Sequence, residues 1–397
     1  MKPSFNNFLG SATPVVTENE TDKRALLEFK AKIIDDHFGV MHSWNNTIPF
    51  CQWHGVTCGH RHQRITKLDL RSIKLVGSIS PFIGNLSFLR FSSSNSLRNW
   101  SFAKIACFGA VKQQPKCSQL ASIFLGNNLL TGEIPRMLGH LSNLIEFSFS
   151  RNNLTRCIPL SVGNLSSLEF ICLSYNGLSR VISEALGKLK NLVVLVVSAN
   201  EISSVIPASI FYLSNILVFH TNTNQIQGSL PLDLGITMSC IETLAVANNQ
   251  FTGPIPVSIS NASNLVEFNV VENKLSGSLP SFEKLDKLSR FVIGVNLLGS
   301  MKSTDLNFLY TLNIASRLKF LLIGENNFGG ELPDCIGNLS SNLVTFKTQD
   351  SRILGRIPTG IENLINLELL AVSNNQLSGS IPLDIGRLQK LRTFYAI

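Results

Sequence analysis

The chain has 397 residues, of which 44% are hydrophobic and 15% charged, and its formal net charge is +8. This composition is ample for a folded body, and the basic residues are scattered except at His60–Lys74, so we expect no nucleic-acid interface. No stretch reaches about 18 uninterrupted apolar residues and the N-terminus has no apolar signal region, so we expect neither a transmembrane helix nor a signal peptide.

The first 64 residues predict a disordered start and a structured cap. Residues 1–20 have no periodic pattern and are expected to be disordered. A helix is expected from residue 21, because Thr21 or Asp22 can cap it and apolar residues then recur at helical spacing. Its apolar face is formed by Ala25, Leu26, Phe29 and Ile33.

Cys51 and Cys58 bracket Trp53 and Gly55 within this cap, which we assign to residues 21–64. Their spacing allows a disulfide that pins the start of the next domain. The alternative is a metal site that uses nearby histidines, but it lacks a second cysteine pair. We therefore expect no metal and no cofactor.

Residues 65–397 repeat the template L-x-L-x-x-N-x-L-x-G-x-I-P, as in LAVSNNQLSGSIP at Leu370–Pro382. This period and pattern are those of a leucine-rich repeat, and about 12–13 repeats are expected, the last one incomplete. Ser351 takes the place of one template asparagine. With Ser351 counted between the last two asparagines, the intervals are 23–25 residues apart from one of 30. The asparagines are Asn128, Asn152, Asn176, Asn200, Asn224, Asn249, Asn273, Asn296, Asn326 and Asn375.

Each template position has a physical reason. The L-x-L alternation is the period of a half-buried strand, so stacked repeats should form a parallel concave sheet. A buried asparagine is tolerable only when bonded, and here it can bond backbone groups of its own and the next repeat. Short helical or 3-10 segments should return the chain on the convex side. The fold class is therefore an α/β solenoid, a right-handed horseshoe or superhelix with an N-terminal helical cap.

Two stretches depart from the template. Residues 91–117 fit no repeat and contain Cys107 and Cys117, so they are either a functional loop or a frameshifted remnant. Gly294–Pro333 is a long repeat in which Thr304–Leu312 predicts a helix. The cysteines in or near the repeats show no pairing pattern: Cys157, Cys172, Cys240 and Cys335.

The cap and repeats resemble a known family. The A-L-L-E-F-K helix, S-W-N and C-x-W-x-G-V-x-C of the cap resemble the N-terminal cap of plant leucine-rich-repeat receptor-like kinases. The long repeat Gly294–Pro333 resembles that of the subfamily with the bacterial elongation-factor-Tu receptor and the rice bacterial-blight receptor kinase. The resemblance covers about Thr21–Ile397 apart from 91–117.

That resemblance implies an extracellular recognition region of an innate-immune receptor. It would bind a peptide or protein epitope on the concave face and pair with a co-receptor kinase near its C-terminal repeats. Because we find no signal peptide, membrane span or kinase motif, we expect a truncated receptor. The alternatives are a secreted inhibitor of cell-wall hydrolases, similar to polygalacturonase inhibitors, a soluble decoy or a non-functional gene fragment.

Candidate contact residues follow from the strand period, since the residue inside each L-x-L and the two after it should face outward. Catalytic signatures are missing, so we expect a binding protein rather than an enzyme. Aromatic and charged side chains on a preordered sheet are the types that anchor interfaces. The candidates are Phe124, Ser148, Arg151, Tyr175, His220, Asn222, Asn269, Glu272, Lys347 and Asp350, with Cys172 in the same outward column.

N-x-[ST] motifs and the Cys51–Cys58 pair favour an oxidising, secretory environment and an apoplastic or cell-surface location. The candidate glycosylation sites are Asn45, Asn85, Asn153, Asn164, Asn261 and Asn338.

Overall fold

The structure, a computed structural model, describes residues 18–60, 62–86 and 120–396. The N-terminal helix spans Glu18–Lys30. Residues 18–20 are therefore helical rather than disordered, in keeping with acidic side chains in a first turn, where the helix dipole favours negative charge. The rest of the predicted disordered segment lies outside the described residues.

The cap is held by apolar packing and one disulfide. Phe29 packs on Trp44 with ring centroids 6.1 Å apart, and Trp44 stacks on Trp53 at 5.4 Å. Cys51 and Cys58 form a disulfide with Cα atoms 5.5 Å apart. The cap therefore closes the first coil of the solenoid, as a repeat array requires at its ends.

The cap also contains a buried ion pair that joins the helix to the first repeat strand. Arg64 Nε and Nη2 donate to the two carboxylate oxygens of Asp22 at 2.7 and 2.8 Å. The backbone N–H of Ile65 donates to the same carboxylate at 3.1 Å. Both side chains are almost fully buried, with exposures of 0% and 5%.

The concave sheet has 14 strands in the described residues, and its strands are parallel except at the first pair, which belongs to the cap. Short apolar segments on an L-x-L period stack side by side because each coil buries its apolar residues against the next. The strands are Val56–Cys58, Ile65–Asp69, Ser122–Phe124, Glu146–Ser148, Phe170–Cys172, Val194–Val196, Val218–His220, Thr243–Ala245, Glu267–Asn269, Arg290–Val292, Phe320–Leu322, Thr345–Lys347, Leu369–Ala371 and Thr393–Tyr395.

A second sheet, here called the flank sheet, is formed by the L-x-G segments of the repeats and by one antiparallel strand from the cap, Ile33–Asp36. Its strands in the described residues are Ile33–Asp36, Leu75–Ser78, Leu129–Glu133, Asn153–Arg156, Gly177–Arg180, Glu201–Val205, Gln225–Ser229, Gln250–Gly253, Lys274–Gly277 and Leu297–Leu298. After the long repeat, Leu354–Gly355 and Gln376–Leu377 form a separate two-stranded sheet.

The convex side is built mostly of single 3-10 turns, as the sequence predicts. They lie at Val40–Ser43 and Phe50–Gln52 in the cap, and then at Pro81–Asn85, Arg136–His140, Leu160–Asn164, Glu184–Lys188, Val257–Asn261, Leu312–Ile314, Asp334–Asn338, Thr359–Asn363 and Leu383–Arg387. Three coils have one α-helical turn, at Ala208–Phe211, Leu234–Thr237 and Phe308–Thr311. Among the helices described here, none is long and apolar enough to cross a bilayer.

The template asparagines are bonded as a ladder that joins consecutive coils. Asn249 Nδ2 donates to the carbonyls of Val246 and Ala247 in its own turn, at 3.1 and 3.0 Å. It also donates to the Thr221 carbonyl at 3.0 Å, and its Oδ1 accepts from the Ile226 N–H at 3.0 Å. The partner coil is thus the preceding one rather than the next one, which corrects the predicted direction.

The long repeat is organised by a buried acid that the sequence did not single out. Asp305 is 5% exposed, and its Oδ2 accepts from the N–H groups of Ser300 and Lys302 at 2.8 and 3.0 Å. The predicted helix over 304–312 is reduced to Phe308–Thr311 followed by a 3-10 turn. Asp305 binds the backbone just before it, which holds the extra residues in turns.

The concave sheet is continuous across the gap between the described segments. Ile65–Asp69 pairs directly with Ser122–Phe124, with Leu68 opposite Ile123. The coils on either side of residues 87–119 are therefore neighbours. The irregular stretch 91–117, with Cys107 and Cys117, lies outside the described residues.

Candidate ligand-binding face

The concave face consists of the outward side chains of the concave sheet, together with the residue before each template asparagine. That last position has a left-handed backbone in every coil from 120 to 375, with φ between +51° and +58°. Arg151, Tyr175, Glu272 and Asp350 occupy it. Because the conformation recurs in all these coils, it is part of the scaffold and fixes the direction of these four candidate side chains at the edge of the sheet.

Phe124 and Ser148 are buried, with exposures of 3% and 1%, so the prediction that they face solvent is wrong. Arg71 Cζ lies 4.8 Å and Lys67 Nζ 5.4 Å from the centroid of the Phe124 ring, so two cations cover it. Ser148 lies between the neighbouring strands and its Oγ is 3.2 Å from Ser150 Oγ.

The apolar outward residues of the next three strands are buried as well. Phe170, Cys172, Val194, Val196 and Val218 form a cluster whose members are at most 4% exposed. Cys172 was also expected to face solvent, and the packing of this cluster corrects that expectation. The N-terminal half of the concave face therefore offers contacts mainly at its edge, where Arg151 Cζ lies 4.4 Å from the centroid of the exposed Tyr175 ring.

His220 and Asn222 lie at the boundary between the buried and open halves and are both partly buried. Asn222 Oδ1 accepts from the Ala247 N–H at 2.8 Å, so this side chain also joins two coils. His220 Nε2 is buried and has no hydrogen-bond partner among the described residues. Burial lowers the pKa of His220 to about 4.

This low pKa predicts a dependence of stability on pH. The unfolded chain protonates His220 near pH 6.5, whereas the folded chain does so only near pH 4, so the unfolded state binds more protons between these values. Stability is therefore complete above about pH 6.5 and is lost as the pH falls toward 4. We expect the wild type to lose about 2 kcal/mol more than His220→Gln between pH 7.5 and 5, measured by urea unfolding. Equal losses in the two proteins would contradict this assignment.

The C-terminal half of the concave face is open and of mixed charge. Asn269 and Lys347 are partly exposed, and Glu272 and Asp350 are exposed. The register of the parallel strands places Phe320 between Arg290 on one neighbouring strand and Thr345 on the other. This half of the concave face therefore presents carboxylates, cations and an aromatic ring on one side of the solenoid.

Sequence reasoning missed three of these side chains. Arg290 Nε lies 3.5 Å from Glu267 Oε1, and its Cζ lies 4.5 Å from the centroid of the Phe320 ring. Glu325 Oε1 accepts from Gln349 Nε2 at 3.3 Å. Arg290 and Phe320 precede the L-x-L, where the same alternation places another outward residue. Extending the alternation by one step would have found them.

Two family models match parts of the chain. Residues 19–59 match the leucine-rich repeat N-terminal domain, and residues 317–339 and 366–388 match the leucine-rich repeat. The first match covers the helix and most of the disulfide-bonded cap. Each of the other two covers one repeat, from its concave strand to its convex turn.

Two sequence relatives are plant receptor kinases. The chain is 56% identical over 73 residues to the LRR receptor-like serine/threonine-protein kinase EFR of Arabidopsis thaliana, which is 18% of this chain and 7% of that protein. It is 37% identical over 93 residues to the receptor kinase-like protein Xa21 of Oryza sativa subsp. japonica, which is 23% of this chain and 9% of that protein. The matches thus span less than a tenth of these relatives' length.

Two solved structures have the same fold over nearly the whole chain. The PEPR1–AtPEP1 crystal structure matches with a TM-score of 0.79 and 25% identity, over 95% of this chain and 48% of that one. The ectodomain of the receptor kinase GASSHO1/SCHENGEN3 from Arabidopsis thaliana, in complex with CASPARIAN STRIP INTEGRITY FACTOR 2, matches with a TM-score of 0.50 and 25% identity. It covers 94% of this chain and 55% of that one. Together with the cap, the repeat and the sequence relatives, these matches show that the chain is a leucine-rich-repeat solenoid similar to part of the ectodomains of plant receptor kinases.

Proposed function

We propose that this chain is the extracellular ligand-recognition region of a plant receptor-like kinase and that it senses a peptide or protein in innate immunity. The observation that carries the proposal is the open half of the concave face, where Arg290, Phe320 and Lys347 lie on the sheet and Glu272 and Asp350 lie at its edge. A preordered surface lowers the entropy cost of binding an extended chain, and its mixed charges can select the partner. A co-receptor kinase would contact the C-terminal repeats.

The relatives support this proposal. GASSHO1/SCHENGEN3 is a plant membrane receptor kinase whose ectodomain binds CASPARIAN STRIP INTEGRITY FACTOR 2, and EFR and Xa21 are receptor kinases. The immune role rests on the resemblance to the last two. The remaining contact candidates, Arg151 and Tyr175, would extend the binding face along its edge.

An extracellular location also fits the positions of the candidate glycosylation sites. Four of them end a convex 3-10 turn and are exposed: Asn85, Asn164, Asn261 and Asn338. Asn153 is exposed on the flank sheet, whereas Asn45 is partly buried and its Nδ2 donates to the His42 carbonyl at 2.8 Å. Glycans on the convex side would leave the concave face open, and we propose this arrangement for the natural protein.

The test uses the full chain as bait for a random-peptide phage library. We expect enriched peptides that bind the wild type and bind the concave variant Tyr175→Ala/Glu272→Ala/Lys347→Ala at least about ten-fold more weakly, because a few anchor side chains carry most of an interface's affinity. Affinities are measured by calorimetry with synthetic copies of the enriched peptides.

The matched control removes the same three residue types from the convex side, as Glu184→Ala/Lys188→Ala/Tyr212→Ala. All three of these side chains are exposed. The control variant should bind the peptides like the wild type. Failure to enrich any peptide, or equal affinity of the concave variant and the wild type, would refute concave-face recognition.

A further inference from the structure

A groove of about 350 Å³ lies on the side of the solenoid where the chain returns from the convex turns to the concave strands. It is lined by Val266, Lys287, Ser289, Arg317, Lys319 and Asn342, and we call it the basic groove. Its residues come from four consecutive coils, including the long repeat. It is separate from the concave face, so nothing argued about it depends on the proposed function.

The groove lies where a second amide ladder is interrupted. On four coils the residue three positions before the concave strand is an asparagine whose Nδ2 donates to a carbonyl of the preceding coil; these are Asn191, Asn215, Asn342 and Asn366. Asn191 does so to Ser166 at 2.8 Å, and Asn366 to Ser341 at 2.8 Å. Lys287 and Arg317 occupy this position in two successive coils. Lys287 still joins two coils, because its Nζ donates to Asn264 of the preceding coil, whereas the side chains of Arg317 and Lys319 make no hydrogen bond among the described residues.

The three cations of the groove lack an acidic partner. Among the described residues, no carboxylate lies within ion-pair distance of Lys287, Arg317 or Lys319, and Lys287 Nζ donates to Asn264 Oδ1 at 2.7 Å. All three side chains are exposed. Like charges on adjacent coils repel each other, and an anionic ligand relieves this repulsion.

We propose that the basic groove binds a polysaccharide that carries carboxylates along its length, a polyuronate. An exposed ion pair contributes little by itself, so useful affinity needs a ligand with repeated charges. The guanidinium of Arg317 suits a carboxylate, which it can bind through two parallel hydrogen bonds. Successive coils present cations at the spacing of a parallel sheet, and a uronate chain presents carboxylates at comparable intervals.

The uncharged part of the lining also favours a sugar chain. Ser289 and Asn342 offer hydrogen-bonding groups for sugar hydroxyls, and Val266 offers an aliphatic surface for the ring face. No aromatic side chain lines the groove to stack a nucleic-acid base. An acidic peptide would lack the apolar pocket or open strand edge by which peptides usually gain affinity.

The test measures binding of the full chain to oligogalacturonate by calorimetry. The groove variant is Lys287→Asn/Arg317→Asn/Lys319→Val, which installs the residues that neighbouring coils have at these positions and so preserves stacking. We expect the groove variant to bind about ten-fold or more weakly and to keep the wild-type Tm. The control Arg136→Gln/Lys190→Gln/Lys274→Gln removes the same charge from exposed positions elsewhere and should bind like the wild type.

Further ligands separate the sources of binding. Methyl-esterified oligogalacturonide, which has the same backbone without charge, should bind at least about ten-fold more weakly to the wild type. If polyglutamate binds the wild type as tightly as oligogalacturonate does and does not bind the groove variant, the groove is a site for acidic proteins and the proposal is overturned. Equal loss of binding in the groove variant and the control would show non-specific attraction to net charge and also overturn it. None of these outcomes bears on peptide binding at the concave face.

Discussion

Replacing Asp22 by alanine is expected to lower the free energy of unfolding of the cap by about 3–5 kcal/mol. The carboxylate accepts two hydrogen bonds from Arg64 and one from the Ile65 backbone, all at 3.1 Å or less. When this carboxylate is lost, Arg64, which is only 4% exposed, remains inside the cap without its charge partner. Urea unfolding followed by tryptophan fluorescence measures the effect, since Trp44 and Trp53 lie in the cap core.

Two further variants isolate the cause. In Asp22→Ala/Arg64→Met the unpaired charge is absent, so much of the lost stability should return. Glu362→Ala removes one of the two carboxylates that pair with Arg387, the other being Asp384. Arg387 Nη1 lies 2.7 Å from Glu362 Oε2, but the Arg387 side chain is 69% exposed, so the change should cost less than about 1 kcal/mol. If Asp22→Ala cost no more than Glu362→Ala, burial would not control the strength of this pair.

The second large effect is expected at the asparagine ladder. Asn249→Ala should lower the free energy of unfolding by about 3 kcal/mol, because buried backbone groups of two coils lose their partners and each unpaired group costs on the order of 1–3 kcal/mol. Asn249 makes four hydrogen bonds of 3.1 Å or less and is 9% exposed. Circular dichroism during urea unfolding provides the measurement.

One coil of the natural chain already has a serine in place of the ladder asparagine, which provides a reference for a partial loss of these hydrogen bonds. Ser351 occupies one ladder position, and its hydroxyl bonds only the Gln349 carbonyl, at 3.1 Å. Asn249→Ser should therefore fall between the wild type and Asn249→Ala. Asn143→Ala removes a partly exposed amide whose Nδ2 lies 3.5 Å from the hydroxyl of the adjacent Ser142, and it should change stability by less than about 0.5 kcal/mol. A loss below about 1 kcal/mol in Asn249→Ala would contradict the proposed role of the ladder.

The features that recur in every coil could be predicted from the sequence. Buried aliphatics and bonded asparagines obey the same constraint each time, so their spacing indicates the concave strands, the convex turns and the fold. Ser351 was assigned to the ladder in this way. The strand Thr345–Lys347, which pairs with Leu369–Ala371, confirms that Ser351 belongs to a regular coil. The cap disulfide followed from the spacing of Cys51 and Cys58.

Features that depend on contacts between particular coils could not be predicted in this way. Alternation predicts that Phe124 and Ser148 point outward, but it carries no information on the cations that cover Phe124 or on the apolar neighbours that bury the adjacent strands. Asp305 was missed because three of its four hydrogen-bond donors are backbone N–H groups, which the sequence does not display. Whether Tyr175, Glu272, Lys347 and Asp350 bind a ligand remains a prediction.

Carboxylate footprinting with a carbodiimide, in the absence and presence of an enriched peptide, tests concave-face recognition most directly. Glu272 and Asp350 are exposed on the concave side. Glu184 is exposed on the convex side, where the Asp384 side chain is 40% exposed, so each carboxylate serves as a local probe. Peptide binding should protect Glu272 and Asp350 and leave the labelling of Glu184 and Asp384 unchanged. Protection of the convex pair, with the concave pair still fully labelled, would contradict the account.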